Sequence, residues 1–203
     1  MSEIKKVKII TADPSAIGLF GLAMVTLVAS SEKLGWTHGT GLELPWAIFL
    51  GAAAQFYAAT LDAKHNNTFG ATAFAGYGLF WFSVAMTWMV QGGIFGETMQ
   101  QAADPHQLGF AFVGYLIFTL FMTIGAMETN KVLFAIFFMI NFLFIGLSGY
   151  TFGIAEHFTH QLAGWSEFII SMLSFYAAAA SVLNVHFGRV FLPVGKPFGI
   201  FKK

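Results

Sequence analysis

Three amide side chains stand inside long apolar stretches of this sequence: Gln55, Asn141 and Asn184. Burying an amide without a hydrogen-bond partner is unfavourable, so such residues either bond a neighbouring helix or line a path for a polar solute. Their N–H groups carry no fixed charge and can bind a small carboxylate that must also leave. Hydroxyl groups in the same stretches are further candidates, although a lone hydroxyl more often bonds its own helix. These hydroxyl candidates are Thr26, Ser174 and Ser181.

Other groups that could do chemistry are sparse. The chain has no cysteine, and it lacks the HExxH, P-loop, GxSxG and dinucleotide-binding motifs. His157 and His160 are three residues apart, but a zinc centre needs three well-placed protein ligands and a supporting second shell. We therefore expect no metal, no cofactor and no enzyme activity. Glu167 is the clearest ionisable residue within an apolar stretch, and so few charges argue against a metal-cation pump.

Six hydrophobic blocks must position these side chains. They cover about 17–34, 44–61, 69–90, 108–127, 132–155 and 162–185. Each is close to the ~20 residues with which a helix crosses a ~30 Å hydrocarbon core. Because the blocks are apolar on all faces, they do not match the alternating strands of a barrel. With 57% hydrophobic and 10% charged residues, the chain is predicted to be an all-α membrane protein with six transmembrane helices.

The basic residues are sorted by side. Nine of the ten Lys and Arg residues lie at the termini or in the connections after blocks two and four, and only Lys33 lies on the other side. The positive-inside rule then predicts a multi-pass protein of the cell membrane with both termini in the cytoplasm. We expect a cytoplasmic segment over 1–12, a transport domain over 13–188 and a cytoplasmic tail over 189–203. A cleaved signal peptide at the N-terminus would leave five spans and break this sorting. A net charge of zero gives no case for nucleic acid.

Two helix starts are predicted to form the cytoplasmic mouth of a path. Asp13 and Pro14 suit the cap and first turn of the first helix, with Gly18 following. Asn67 or Thr68 suits the cap of the third. The positive ends of both helices would face the same side, where an anion is favoured, although every helix has a cap.

At these segments the sequence resembles the acetate uptake transporter family. The N-terminal signature of that family, Asn-Pro-Ala-Pro-Leu/Phe-Gly-Leu, reads Asp13-Pro14-Ser15-Ala16-Ile17-Gly18-Leu19 here. The resemblance extends in order and spacing from about residue 12 to residue 195. Its other motifs are Asn67-Thr68-Phe69-Gly70-Ala71-Thr72-Ala73-Phe74, Tyr77-Gly78, Phe80-Trp81, Ala163-Gly164-Trp165, Tyr176, Val182-Leu183-Asn184, Phe187-Gly188-Arg189 and Leu192-Pro193-Val194-Gly195.

The resemblance implies six helices around a pore in each subunit of a homo-hexamer in the lipid bilayer. It implies passage of acetate and related short carboxylates, sometimes succinate, through an apolar constriction. The matching constriction residues are Leu22, Tyr77 and Ile140, with Leu22 in place of the usual Phe. The implied lining comprises Gln55, Asn141, Thr26, Phe80, Ser174, Tyr176, Ser181 and Asn184. Ser181 stands where the family usually has Glu, which puts a proton-coupling role of that position in question.

Two other classes of function fit the same pattern. A urea or small-amide channel also uses six helices and uncharged polar groups, and ammonia passage is a variant of it. A membrane sensor or scaffold that transports nothing would show the same spans.

Overall fold

The computed structural model describes residues 12–201. In that range the chain forms seven helices and no strand. They are α1 (Ser15–Lys33), α2 (Glu43–Lys64), α3 (Thr68–Gln91), the short α4 (Glu97–Gln101), α5 (Pro105–Ala126), α6 (Lys131–Thr151) and α7 (Glu156–His186). All but α4 are long and apolar enough to cross a membrane, which confirms the six predicted spans. Most of the expected N-terminal segment lies outside the described residues.

Asx side chains begin three of these helices. The Oδ1 atoms of Asn67, Asp104 and Asn130 accept hydrogen bonds of 3.1, 2.9 and 2.8 Å from backbone N–H groups in the first turns of α3, α5 and α6. Each bond satisfies a donor that a helix start otherwise leaves free. Of the two residues predicted to cap α3, Asn67 therefore provides the cap.

Helix α2 contains a π-helical stretch, Ala47–Ala54, in its first half. A π turn widens the helix and displaces backbone carbonyls from their usual partners. The Gln55 side chain compensates, since its Nε2 donates a 2.7 Å hydrogen bond to the Gly51 carbonyl. The amide of Gln55, one of the three that the sequence analysis identified, is thus held in place by a carbonyl of the π-helical stretch in its own helix.

Helix α7 packs along both α1 and α6. Its Ser171 hydroxyl donates a 2.7 Å hydrogen bond to the Ala23 carbonyl of α1. On the other side, Gly146 of α6 lies directly against the backbone of α7 at Thr159 and Ala163. With 31 residues, α7 is about 46 Å long and therefore extends beyond the hydrocarbon core.

This length departs from the sequence prediction. Residues 156–161 were expected to form a connection, but α7 begins at Glu156, after Ala155 in a left-handed conformation with φ 45°. The prediction followed hydropathy, and a helix does not have to end where its apolar stretch ends. The Thr159 hydroxyl supports this polar turn by bonding the Glu156 carbonyl at 3.2 Å.

The chain after α7 returns to the bundle as an extended segment over residues 190–201, which we call the C-terminal strap. Val132 N–H donates to the Val194 carbonyl at 3.2 Å, and Phe198 N–H donates to the Met127 carbonyl at 2.9 Å. Glu128 Oε1 accepts from Ile200 and Phe201 N–H at 2.9 and 3.0 Å. The strap is thereby tied to the start of α6 and the turn before it.

Asn184 holds the near end of the strap. Its Oδ1 accepts from Phe191 and Leu192 N–H at 2.7 and 2.8 Å, and its Nδ2 donates to the Leu192 carbonyl at 2.9 Å. We expect Asn184→Leu to release the strap, because three hydrogen bonds together contribute about 1.5–4 kcal/mol. Limited trypsinolysis after Arg189 in detergent should accelerate at least about tenfold. The control is Gln107→Leu, an exposed amide in the first turn of α5, and equal cleavage rates in both variants would contradict this role.

Candidate functional site

A cavity of about 830 Å³ opens at the end of the bundle where α1 starts. We call it the large cavity. All six long helices contribute to its wall, through residues such as Leu19, Gln55, Phe69, Ile124, Leu133 and Ala177. The strap also reaches it, since Val194 and Phe201 are lining residues. The cavity therefore lies between the helices of the bundle instead of in a surface groove.

The three residues assigned to the constriction line this cavity together. Leu22, Tyr77 and Ile140 come from α1, α3 and α6 and are only 7%, 5% and 3% exposed. Thr119 Oγ1 donates to the Tyr115 carbonyl at 2.7 Å, so the Tyr77 hydroxyl is the donor in the 2.9 Å bond between Tyr77 and Thr119. The Tyr77 ring is therefore held in place, and the wall here is mostly hydrocarbon. We call these three residues the waist.

A second cavity of about 230 Å³ lies further along α3, towards the opposite end of the bundle. We call it the small cavity. Phe80, Trp81 and Phe112 line its apolar side. Along α3, the lining passes from the large cavity at Tyr77 to the small cavity at Phe80. Among the described residues none lines both cavities, so the two are separate in this conformation.

Aromatic rings fill the layer between the cavities. The Phe80 ring lies 4.9 Å from Tyr115 and 5.3 Å from Phe144, centroid to centroid, in edge-to-face contacts. Tyr115 and Phe144 stack at 5.5 Å. Such contacts stabilise the closed layer beyond simple burial of area. The same rings reach Tyr77 of the large cavity through Tyr115, at 6.4 Å, and Phe112 of the small cavity through Phe80, at 6.2 Å.

Several of the predicted polar residues face the large cavity. Gln55, Ser181 and Asn184 line it, as do Asp13 and Asn67 of the predicted mouth. Gln55 is 1% exposed, and one of the two N–H groups of its Nε2 is bonded to the Gly51 carbonyl, so a second N–H remains for a solute. Asn184 uses its Oδ1 and one N–H of its Nδ2 on the strap. The donors that the sequence suggested are therefore partly engaged within the protein.

Other predicted lining residues lie outside the wall of the large cavity. Thr26 donates to the Leu22 carbonyl at 2.7 Å, behind the waist. Asn141 donates to the Phe137 carbonyl at 2.9 Å and to Thr123 Oγ1 at 2.8 Å. Ser174 is fully buried, and its hydroxyl has no partner among the described residues. Tyr176 donates to the Pro193 carbonyl of the strap at 2.8 Å.

The remaining mouth residues act on the helix starts. Asp13 Oδ1 accepts from Ser15 N–H at 2.9 Å, as an N-terminal cap does. The Pro14 carbonyl accepts from Gly18 N–H at 3.1 Å. A Cβ atom at Gly18 would collide with the Phe74 ring, which lines the cavity, so this glycine permits a close contact between α1 and α3. Thr68 is exposed at the first position of α3.

Two acidic residues at the large cavity were not among the predicted site residues. Asp62 and Glu128 line it beside Asp13, and within residues 12–201 no Lys or Arg does. Asp62 is 3% exposed; its Oδ1 accepts from Asn67 Nδ2 at 2.8 Å, and its Oδ2 has no partner among the described residues. From the sequence, Asp62 could be placed only at the edge of the membrane. Its contact with Asn67 could not be predicted, because that contact depends on the conformation of the turn between α2 and α3.

Comparison with known proteins identifies the class. The GPR1/FUN34/yaaH family matches residues 2–195, and this chain belongs to that family. It is 36% identical over 189 residues to the succinate-acetate/proton symporter SatP of Escherichia coli K12, covering 91% of this chain and 96% of that protein. It is 29% identical over 141 residues to acetate permease A of Emericella nidulans, covering 66% of this chain and 47% of that one.

A solved structure has the same fold. It is described as the structure of the bacterial acetate channel SatP, and it aligns with a TM-score of 0.85 at 33% identity. The alignment covers 92% of this chain and 100% of that one. The predicted resemblance and the predicted six-helix fold are thereby confirmed, and the chain is a multi-pass membrane protein.

Proposed function

We propose that this protein moves acetate and closely related small carboxylates across a membrane, through the large cavity, the waist and the small cavity. The observation that carries the proposal is that Leu22, Tyr77 and Ile140 are buried residues that line the same cavity, while a second cavity lies further along α3. The names of the two relatives and of the solved channel support acetate as the substrate. Transport, with no catalysis, is the activity that this family membership favours.

The lining explains how so polar a solute is accommodated. A carboxylic acid with a pKa like that of Glu, about 4.3, is almost wholly ionised at pH 7, and its anion is strongly disfavoured in hydrocarbon. The positive ends of α1 and α3 lie at the mouth of the large cavity, where their partial charges of about +0.5 each offset part of the negative charge of Asp13 and Asp62. The waist then selects by size, because a hydrated ion does not fit an apolar constriction.

The sorting of basic residues supports an orientation in the cell membrane. We place the large cavity, the starts of α1 and α3 and the strap on the cytoplasmic side, with both termini there. The small cavity then faces the outside. Large apolar side chains on the outer face of the bundle, including Phe110 and Phe121, need a cover of lipid or neighbouring subunits. A homo-hexamer is the assembly that the sequence resemblance implies.

Flux in proteoliposomes tests the proposal. We expect labelled acetate to enter vesicles that contain the protein at least about tenfold faster than urea, after the rates of protein-free vesicles are subtracted. Methylammonium, as an ammonium analogue, should enter no faster than in protein-free vesicles. Urea entry with acetate inert would favour an amide channel. Ordered oligomers without flux of any of these solutes would favour a scaffold.

A further inference from the structure

Two charged side chains, from α1 and α7, line the small cavity, and a third from the start of α2 interacts with them electrostatically. Lys33 of α1 and Glu167 of α7 form an ion pair of 2.9 Å, and both line that cavity. Glu43, the first residue of α2, is within electrostatic reach of both. Glu167 and Glu43 are only 2% and 5% exposed. We call these three residues the acid-lysine cluster.

Lys33 forms an ion pair with only one of the two acids. Its ammonium lies against Glu167, and its other contact is with the Ala29 carbonyl at 3.3 Å. Glu43 Oε1 is buried and has no hydrogen-bond partner among the described residues. A buried carboxylate without a partner is strongly unfavourable, and the positive end of a helix offsets this only in part. A proton on Glu43 removes the unfavourable charge.

The charges around the cluster also disfavour an ionised Glu43. Lys33 and Glu167 together are neutral, so an ionised Glu43 leaves one net negative charge beside the small cavity. Glu32 of α1, which also lines the cavity, adds to that negative charge. The other titratable groups nearby are on α7: His160, which lines the cavity and lies 4.6 Å from the Tyr150 ring, and the exposed His157. Of the ten Lys and Arg residues, Lys33 is the only one that is predicted to lie on this side of the membrane.

We propose that Glu43 is a proton-binding site that controls the entry of a carboxylate into the small cavity. A proton from water on this side binds a Glu43 carboxylate oxygen, and the acid-lysine cluster becomes neutral. An entering anion then faces one negative charge fewer, with only that of Glu32 left unbalanced beside the cavity. By linkage, the bound proton raises the affinity for the anion and the bound anion raises the affinity for the proton by the same factor. This inference rests on the proposed function and assigns a new residue to it.

Flux at different pH values tests the linkage. For wild-type protein, the acetate concentration that gives half-maximal entry from the small-cavity side should fall at least about fivefold between pH 8 and pH 6. In Glu43→Gln, which is neutral at every pH, it should stay at the low value throughout. Glu97→Gln, an exposed acid in the connection between α3 and α5, should behave as wild type. His160→Gln should also keep the pH dependence. Unchanged pH dependence in Glu43→Gln, or its loss in His160→Gln, would overturn the proposal.

Infrared spectroscopy tests the proton itself without any transport. The wild-type protein should show a carbonyl absorption of a protonated carboxyl group that grows between pH 8 and pH 6. Glu43→Gln should lack this band, and Glu43→Asp should shift it. No titrating band in wild type, or the same band in Glu43→Gln, would overturn the proposal even if the flux results were as expected. If the wild-type protein gave no acetate flux, the transport function would be overturned. The infrared result would then test only whether Glu43 binds a proton.

Discussion

Gly146→Ala is expected to destabilise the helix bundle severely. A Cβ atom at this position would lie 2.6 Å from Ala163 N and 2.7 Å from Thr159 O, both backbone atoms of α7. A backbone cannot move aside as a side chain tip can, so α6 and α7 must separate along their contact. Overpacking of this kind costs about 1–3 kcal/mol or more. Thermal unfolding of the purified protein in detergent should shift down by about 4–10 °C.

Gly114→Ala is the matched control for this substitution. Gly114 is a helical glycine of α5, and no atom lies within 4 Å of the position that its Cβ would occupy. Alanine should leave stability unchanged or raise it by about 0.5–1 kcal/mol, because glycine is the poorer helix former. Equal melting temperatures for the two variants would mean that the close contact between α6 and α7 does not limit stability.

Tyr77→Ala is expected to widen the waist and admit larger acids. The ring lies 5.7 Å from Phe118 and 5.9 Å from Phe137, centroid to centroid, and its removal opens space at the end of the large cavity. Entry of valerate relative to acetate should rise about tenfold, which corresponds to about 1.4 kcal/mol less discrimination. Competitive uptake of the two labelled acids into proteoliposomes measures that ratio.

Tyr77→Phe separates the ring from its hydroxyl group. This variant keeps the size of the waist and loses only the 2.9 Å hydrogen bond with Thr119, so its valerate-to-acetate ratio should stay at the wild-type value. Because truncating a buried aromatic residue costs about 3–5 kcal/mol, the folded fraction of Tyr77→Ala must be measured beside its flux. A folded Tyr77→Ala protein with the wild-type ratio would show that Tyr77 does not limit the passage.

The six spans could be predicted because hydropathy and charge sorting act over whole helices. Errors in the prediction occur where local chemistry decides. The polar turn at Glu156 has the composition of a loop, but it forms the first turn of α7. A tail was expected over 189–203, and the binding of this segment to the bundle was not predicted. Backbone hydrogen bonds such as that from Phe198 N–H to the Met127 carbonyl cannot be recognised from the sequence.

The site was less accessible to sequence reasoning than the fold. The waist residues come from helices distant along the chain, and only the family resemblance placed them together. Gln55 was expected to offer amide donors to a solute, but one of its two N–H groups is bonded to the Gly51 carbonyl in the π-helical stretch beside it. Glu167 stood out as a buried acid, yet its partner Lys33 is far away in sequence. The isolation of Lys33 on its side of the membrane was the one available signal for the pair.

The central claim is that the large cavity is part of the conduit, and a cysteine block tests it most directly. Because the chain has no cysteine, single Ser→Cys variants can be labelled without background. Ser181 lines the large cavity, whereas Ser83 is on the outer face of α3 and bonds only the Leu79 carbonyl, at 2.9 Å. A water-soluble methanethiosulfonate should block acetate flux by at least about 90% in Ser181→Cys, which is a tenfold reduction, and leave Ser83→Cys unaffected. Full acetate flux through a completely labelled Ser181→Cys protein would contradict the account.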